Sequence, residues 1–440
     1  MVTVAAEKPE TQRGLVNVSP EVRNDLGMSP KKTALFAAKA IRLFAYSLIS
    51  IALPLYLALV LHYSDISIGI VVAIAVGSGA IYNILVSKYA DSFGRKKSLI
   101  ALSLLMAVSG ALFALNLGFY SIIVASLIGS ICVNGTETGP FMNIEVASLT
   151  KFSNDSNRTI TYSMYNFLGY AAASIGPLFG GAMLGFFNNS QFIFQILFAI
   201  YSIMALALAL IYATFGEELE VKVKKEVGAP RLSGDAKNKI LKLGALFSLD
   251  AFGGGFVVQS LITLWFITRF PSFPTLYIGI ILSVANIITA FSIFMASWVA
   301  KRIGLLNTMV FTHAPSSVFL IAIPFAPTPL IAAMLLFLRQ SMSQMDVPTR
   351  QSYMMAIVKP EERTATGSLI NTPRTIAQAL SPTLSGYFIQ AMAYADPFVI
   401  GGSLKILYDT LIFFTFRKIK PPEETTNENA RMDAYKRTRA

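Results

Sequence analysis

The chain is built from apolar stretches of span length separated by short polar segments. In the first half they run from Ala34 to Leu61, Ile68 to Tyr89, Leu99 to Leu115, Phe119 to Thr138, Ile160 to Phe187 and Phe192 to Phe215. In the second half they run from Ile240 to Ile267, Leu276 to Ala300, Leu305 to Phe325, Leu330 to Val347, Thr364 to Met392 and Phe398 to Phe416. A hydrocarbon core needs roughly 20 helical residues, and tilt absorbs the longer stretches. Without water, backbone donors and acceptors must pair inside each span, so helices are predicted.

The polar segments alternate in charge. Taking the N-terminus as cytoplasmic, the inner segments hold Lys31 and Lys32, Arg95 to Lys97, Lys151 and Arg158, the Gly216 to Lys239 linker, Lys301 and Arg302, Lys359 and Arg363, and Arg417 to Lys420. Among the outer segments only Arg269 is a lysine or arginine. Positively charged loops stay on the cytoplasmic side, so both termini are expected there. The polar N-terminus, residues 1–32, lacks the basic-then-apolar order of a cleavable signal and reads as a cytoplasmic tail.

The linker at 216–239 divides the chain into halves that resemble each other. Gly176-Pro177-Leu178-Phe179-Gly180-Gly181 and Ser381-Pro382-Thr383-Leu384-Ser385-Gly386 share a small-Pro-x-x-small-small pattern 205 residues apart. The same offset carries Arg158-Thr159 onto Arg363-Thr364 and Asn166 onto Asn371, and Ala90 and Gly94 reappear as Ala300 and Gly304. Duplication of a six-span unit is a mark of secondary transporters. The expected fold is an all-α polytopic membrane protein of about twelve transmembrane helices in two pseudo-symmetric six-helix bundles, at 33–215 and 240–416, with a C-terminal tail at 417–440.

Composition agrees with lipid as the solvent: 54% of residues are hydrophobic and 14% charged, well below the charged share of a soluble chain. The net charge of +12 sits in loop clusters, which argues against a nucleic-acid partner. A single cysteine, Cys132, and two histidines, His62 and His313, leave no stock for a disulfide framework or a metal cluster.

After the second span comes Ser87-Lys88-Tyr89-Ala90-Asp91-Ser92-Phe93-Gly94-Arg95-Lys96-Lys97. It resembles the loop signature of the major facilitator superfamily, Gly-x-x-x-Asp-Arg-x-Gly-Arg-Arg or Lys. Asp91, Gly94, Arg95 and Lys96 match, while Ser87 and Ser92 depart from the pattern. The resemblance implies a two-bundle fold and a cytoplasmic latch in which Asp91 meets a helix N-terminus of the other half. Gly176, Pro177, Gly180 and Gly181 resemble the fifth-span motif of proton-coupled drug antiporters in that superfamily, and Pro382 echoes the bend. Ala172 replaces the motif's first Gly, and the fourth span lacks those antiporters' arginine, reading Ser130-Ile131-Cys132-Val133-Asn134-Gly135.

Ionisable residues at membrane depth are costly and should face the interior and pair. They are Lys39, Arg42, Glu137, Glu145, Asp250, Arg339, Asp346, Arg350, Arg374, Lys405 and Asp409. Asp346 and Arg350, like Lys405 and Asp409, stand four apart on a helix face, and the latter two are expected to form a structural ion pair. Arg42 and Asp250 lie at similar depth in the first and seventh spans, which the resemblance sets beside the central cavity. They are candidates to bind substrate or each other, with Glu137 as a candidate proton carrier. Asn166, Gln259, Asn371 and Arg374 join them as substrate or proton pathway residues, and Tyr165 and Trp265 lie at similar depth. Glu145 and Arg350 correspond under the offset of 205, and an ion pair between the halves is expected from them, closing an inner gate and breaking when the protein opens inward, with Asp346 at the same place as the competing, permanent partner of Arg350. Gly253-Gly254-Gly255 should loosen the seventh span.

No Walker loop, His-Glu-x-x-His run or soluble catalytic domain is present, so a nucleotide-driven pump and an enzyme are disfavoured. The expected function is secondary active transport of a small-molecule substrate in the cell membrane by a monomer without a cofactor. Proton-coupled export of lipophilic compounds and proton-coupled uptake of a metabolite both stay open, with a non-transporting receptor as the competing class.

Overall fold

The computed structural model describes residues 29–129, 131–133, 139–149, 158–216, 219–220, 234–356 and 363–419. The first half contains α1 (Pro30–Leu55), α2 (Asp65–Phe93), α3 (Arg95–Leu115), α4 (Phe119–Ile128), α5 (Pro140–Leu149), α6 (Arg158–Phe186) and α7 (Gln191–Ala213). The second contains α8 (Gly234–Gly255), α9 (Gln259–Arg269), α10 (Thr275–Ile303), α11 (Leu305–Ala322), α12 (Pro329–Ser343), α13 (Asp346–Ala356), α14 (Arg363–Gln390) and α15 (Asp396–Phe416).

Local chemistry sets several boundaries. Ser29, Ser64 and Thr328 accept the backbone N–H of Lys32, Ser67 and Ile331, and Pro30 and Pro329 occupy the first helical turn, where no donor is lost. Gly94 (φ 105°) separates α2 from α3 and Gly304 (φ 90°) separates α10 from α11. Each glycine N–H donates to the carbonyl four residues back, Ala90 or Ala300, and each glycine carbonyl accepts from the residue four on, Ser98 or Thr308. Positive φ at both sites is what a side chain disfavours, so the repeated Ala-x-x-x-Gly is a repeated turn.

Nine helical segments among the described residues are long and apolar enough to cross a membrane. Three more spans complete the twelve. The fourth consists of the two ten-residue helices α4 and α5, the tenth is interrupted at Gln344 and Met345 between α12 and α13, and the eleventh, α14, is long but carries Asn371, Arg374, Thr375, Gln378, Ser381 and Ser385. The seventh span breaks after Gly255 and restarts at Gln259, as its glycine run predicts.

The helices form two bundles with equivalent packing. In the first, α1 packs on α6 and α7, and α3 on α7; in the second, α8 packs on α14 and α15, and α11 on α15. Large apolar side chains such as Ile203, Leu210, Phe291 and Phe294 point outward, where lipid solvates them.

The bundles meet along α6 with α10 and α14 with α2. Each crossing is a glycine pair. A methyl at Gly279 would fall 2.8 Å from Gly181 Cα and against the carbonyl oxygen of Pro177, and a methyl at Gly69 would fall 3.1 Å from Gly386 Cα and against that of Pro382. Pro177 also removes the donor that would have satisfied the carbonyl of Ala173, and Asn286 Nδ2 from the other bundle donates to it at 3.0 Å. The glycine crossings lie near the starts of α2 and α10, on the face far from Pro30. On that side Gln259 Nε2 donates to Ser50 Oγ (2.9 Å), Ser260 Oγ to the carbonyl of Ser50 (3.0 Å), and the N–H of Ile66 to Gln390 Oε1 (3.2 Å). The far face is thus closed by backbone-close contact.

Gly279→Val should wedge the far face apart at a cost of about 1–3 kcal/mol. In a Cys132→Ala background, a cysteine at Ser50 should then label faster with a membrane-impermeant maleimide than in the Gly279 parent. Unchanged labelling with unchanged thermal stability would sink this account of the closure.

Candidate functional site

Each bundle buries its own charged network. In the first, the Arg42 guanidinium on α1 makes a two-pronged ion pair with the Glu145 carboxylate on α5, and both side chains are fully buried. Arg42 Nη1 also donates to Tyr212 Oη (2.8 Å), and the hydroxyls of Tyr212 (2.7 Å to Oε1) and Tyr165 donate to Glu145. The Lys39 ammonium lies 4.6 Å from the Tyr165 ring centre and the Arg42 guanidinium 4.9 Å from that of Phe141. Two nitrogens and two hydroxyls fill the carboxylate's acceptor sites, the condition under which a buried pair is tolerated.

In the second bundle, Asp250 on α8 is the hub. Its Oδ1 accepts from Lys405 Nζ at 2.6 Å and its Oδ2 from Arg350 Nη1 at 3.1 Å; Arg350 Nη1 also reaches Asp346 Oδ2 at 2.9 Å. His313 on α11 places Nδ1 3.0 Å from both oxygens of Asp409 and Nε2 3.6 Å from Asp250 Oδ1 and 3.5 Å from Lys405 Nζ. All six side chains are buried.

The networks are pseudo-equivalent with reversed polarity. A cation in the first span pairs with an acid in the fourth, Arg42 with Glu145. An acid in the seventh span pairs with a cation in the tenth, Asp250 with Arg350. Two candidate partnerships are not made in this state. Glu145 and Arg350 do not meet: each pairs inside its own six-helix unit, Glu145 with Arg42 and Arg350 with Asp250 and Asp346. Arg42 and Asp250 do not meet each other, for the same reason. Lys405 and Asp409 are not partners either: on α15 they point to Asp250 and His313 respectively. The expected Asp346 and Arg350 contact is present.

A small cavity lies between the bundles. Tyr46, Val76, Cys132 and Val133 line it from the first bundle, Thr375 and Gln378 from the second. Asn371 and Arg374 are on the same helix as its second wall, and Asn166 is part-buried on α6. Gln259, expected in the solute pathway, is held in the far-face closure by Ser50. Trp265 sits near that face, its ring N–H on the carbonyl of Tyr394 (3.1 Å). Glu137 lies outside the described residues, as does the side chain of Asp91.

Gly94 turns the chain, and Glu220 from the linker accepts the N–H groups of Arg95 (2.8 Å) and Lys96 (3.2 Å), neutralising the N-terminus of α3. Of the fifth-span motif, Gly176 and Gly180 seat α1 of the same bundle, against Ser47 and Leu48, whereas Gly181 seats α10 of the other. His313 and Tyr212 are the members that sequence reasoning passed over. A histidine inside an apolar span is itself a signal, since lipid does not tolerate it idly; Tyr212 gave none.

A duplicated twelve-span helical protein, with charged cores in both bundles and a cavity between them, is a membrane transporter by fold and site. The Major Facilitator Superfamily matches residues 35–345 and, in a second match, 274–438. The chain belongs to that superfamily, whose members work without a cofactor. It is similar to the uncharacterized membrane protein YJR124C of Saccharomyces cerevisiae, with 23% identity over 418 residues, covering 87% of this chain and 93% of that one. Among solved structures, the nucleoside transporter NupG superposes with a TM-score of 0.67 at 16% identity over 88% of this chain and 99% of that chain. A D-xylose-proton symporter superposes with 0.67 at 15% identity over 87% and 97%.

Because each pair lies within one bundle, Glu145→Gln should destabilise the protein by about 3–5 kcal/mol. The swap Arg42→Glu with Glu145→Arg should recover most of that loss, and the swap Glu145→Arg with Arg350→Glu should not. Unfolding midpoints in detergent read all three, and recovery by the second swap would restore the gate between halves.

Proposed function

We propose that this protein is a proton-coupled secondary transporter that moves a small polar solute by alternating access of the bundles 33–215 and 240–416. The observation that carries this reading is the buried set Asp250, Lys405, His313 and Asp409. Histidine is the side chain whose ordinary titration falls between pH 5 and 8, and here it bridges two carboxylates beside an ammonium. Gain or loss of one proton at His313 or Asp409 changes the charge of the whole set. It therefore changes how Lys405 and Arg350 share Asp250, which ties α8, α11, α13 and α15 to the protonation state.

The loop charges support placing both termini in the cytoplasm and the protein in the cell membrane. With that orientation the closed far face is the outer one, and the state described is closed to the outside. A second reading, proton-driven export of lipophilic compounds, has in its favour the fifth-span glycines packed at Pro177.

Proteoliposomes loaded with a pH-sensitive dye test the coupling without a labelled substrate. Addition of monocarboxylates, sugars or nucleosides should move protons for one class of solute. His313→Gln and Asp409→Asn should each reduce that proton movement at least about tenfold, as expected when a proton-transferring group is lost. Proton movement that is equal in both variants and wild type would refute the assignment.

A further inference from the structure

Arg374 stands apart from the other membrane-depth arginines. Arg42 is held by Glu145 and Tyr212, Arg350 by Asp250 and Asp346, and Arg339 by Gln340 Oε1 at 2.6 Å. Arg374 makes no hydrogen bond or ion pair with any described residue, and its buried Nε has no partner. The side chain is part-buried, and of the five N–H donors a guanidinium presents, the one withdrawn from water at Nε is left unused, which is costly. The charged groups Asp250, Asp346 and Arg350 of the same bundle are already paired with one another.

Position and charge balance point the same way. Asn371, Arg374 and Gln378 are spaced three and four apart on α14 and share one face, and Gln378 and Thr375 line the cavity between bundles. Among the described residues of the second bundle's network, Arg339, Arg350, Arg374 and Lys405 face Asp250, Asp346 and Asp409. With His313 neutral, the set is one negative charge short.

Resting on the transporter reading above, we infer that the solute is a small anion whose carboxylate or phosphate group is bound by Arg374, with the amides of Asn371 and Gln378 beside it. The guanidinium fork matches either oxyanion with two parallel N–H donors, and the bound charge supplies the missing negative. A cationic solute is disfavoured there by the excess positive charge of these described residues.

The test is thermal stabilisation of the purified full-length protein by benzoate and succinate as carboxylates, and by inorganic phosphate and glycerol 3-phosphate as phosphates. Glucose and tetraphenylphosphonium serve as neutral and cationic probes. At least one anion should raise the unfolding midpoint of the wild type, and the carboxylate and phosphate arms tell the two oxyanions apart. Arg374→Gln should weaken that effect about 10- to 100-fold in concentration, the value of a charge-assisted contact, with Arg374→Lys between the two. The midpoint without ligand should not fall in Arg374→Gln, since the charge removed is part-buried and has no partner among the described residues.

Phenylglyoxal labelling of the wild type, read by mass spectrometry, needs no variant. Arg374 should label before Arg42 and Arg350, and the stabilising anion should protect it. The inference is overturned if only glucose or tetraphenylphosphonium stabilises, if no probe does, if the anion acts equally on Arg374→Gln, or if Arg374 labels no faster than Arg42. None of those outcomes touches proton coupling. Conversely, anion binding at Arg374 without proton movement for any solute would remove the coupling and leave this site standing.

Discussion

Charge buried in a membrane protein has to stay neutralised while the protein moves. Leaving one partner of a desolvated pair exposed to hydrocarbon costs several kcal/mol, a penalty that a transporter would meet in every cycle if its pairs bridged the moving bodies. Here Arg42 closes on Glu145 and Asp250 on Arg350, each within its own six-helix unit. The pairs bind the first span to the fourth and the seventh to the tenth, where the fourth and tenth are broken helices that need such a tie. Among the described residues, the bundles are joined by contacts of another kind: glycine contacts, single neutral hydrogen bonds and aromatic edges, all of which separate at modest cost.

That division of labour explains where the prolines and glycines sit. Pro177 and Pro382 bend the fifth and eleventh spans, and the opposing bundle presents Gly279 and Gly69 at those bends. At Pro177 the freed carbonyl of Ala173 is satisfied from across the interface by Asn286, so the bend and the interface are one device. The polarity reversal between the two charged networks gives each bundle a different chemistry on the same scaffold. The first network is saturated by two tyrosines and reads as a fixed anchor. The second contains His313, Asp409 and, on the helix that forms the second cavity wall, Arg374, which has no partner among the described residues; it is the half we propose to respond to protons and solute.

The correspondence of Glu145 with Arg350, and of Arg42 with Asp250, is written in the sequence as an offset near 205 between equivalent spans. Their partnerships are not. Opposite charges at equivalent positions in two halves suggest a bond between the halves, whereas they are equivalent members of two separate pairs. Lys405 and Asp409 show the same limit: a spacing of four puts two side chains on one helix face, but Asp250 and His313 on neighbouring helices capture them first. Tyr212 carries no signal in the chain, since a tyrosine at the end of an apolar span reads as an interfacial anchor until α5 brings Glu145 beside it.

The sequence by itself determined the membrane class, the twelve spans and the duplication, because those follow from apolar length and repeated spacing along the chain. Only the tertiary structure decided which charges meet, which face is closed and which arginine has no partner among the described residues. Those depend on contacts between helices far apart in sequence, where a rotation of one residue position turns a buried partner toward a different neighbour.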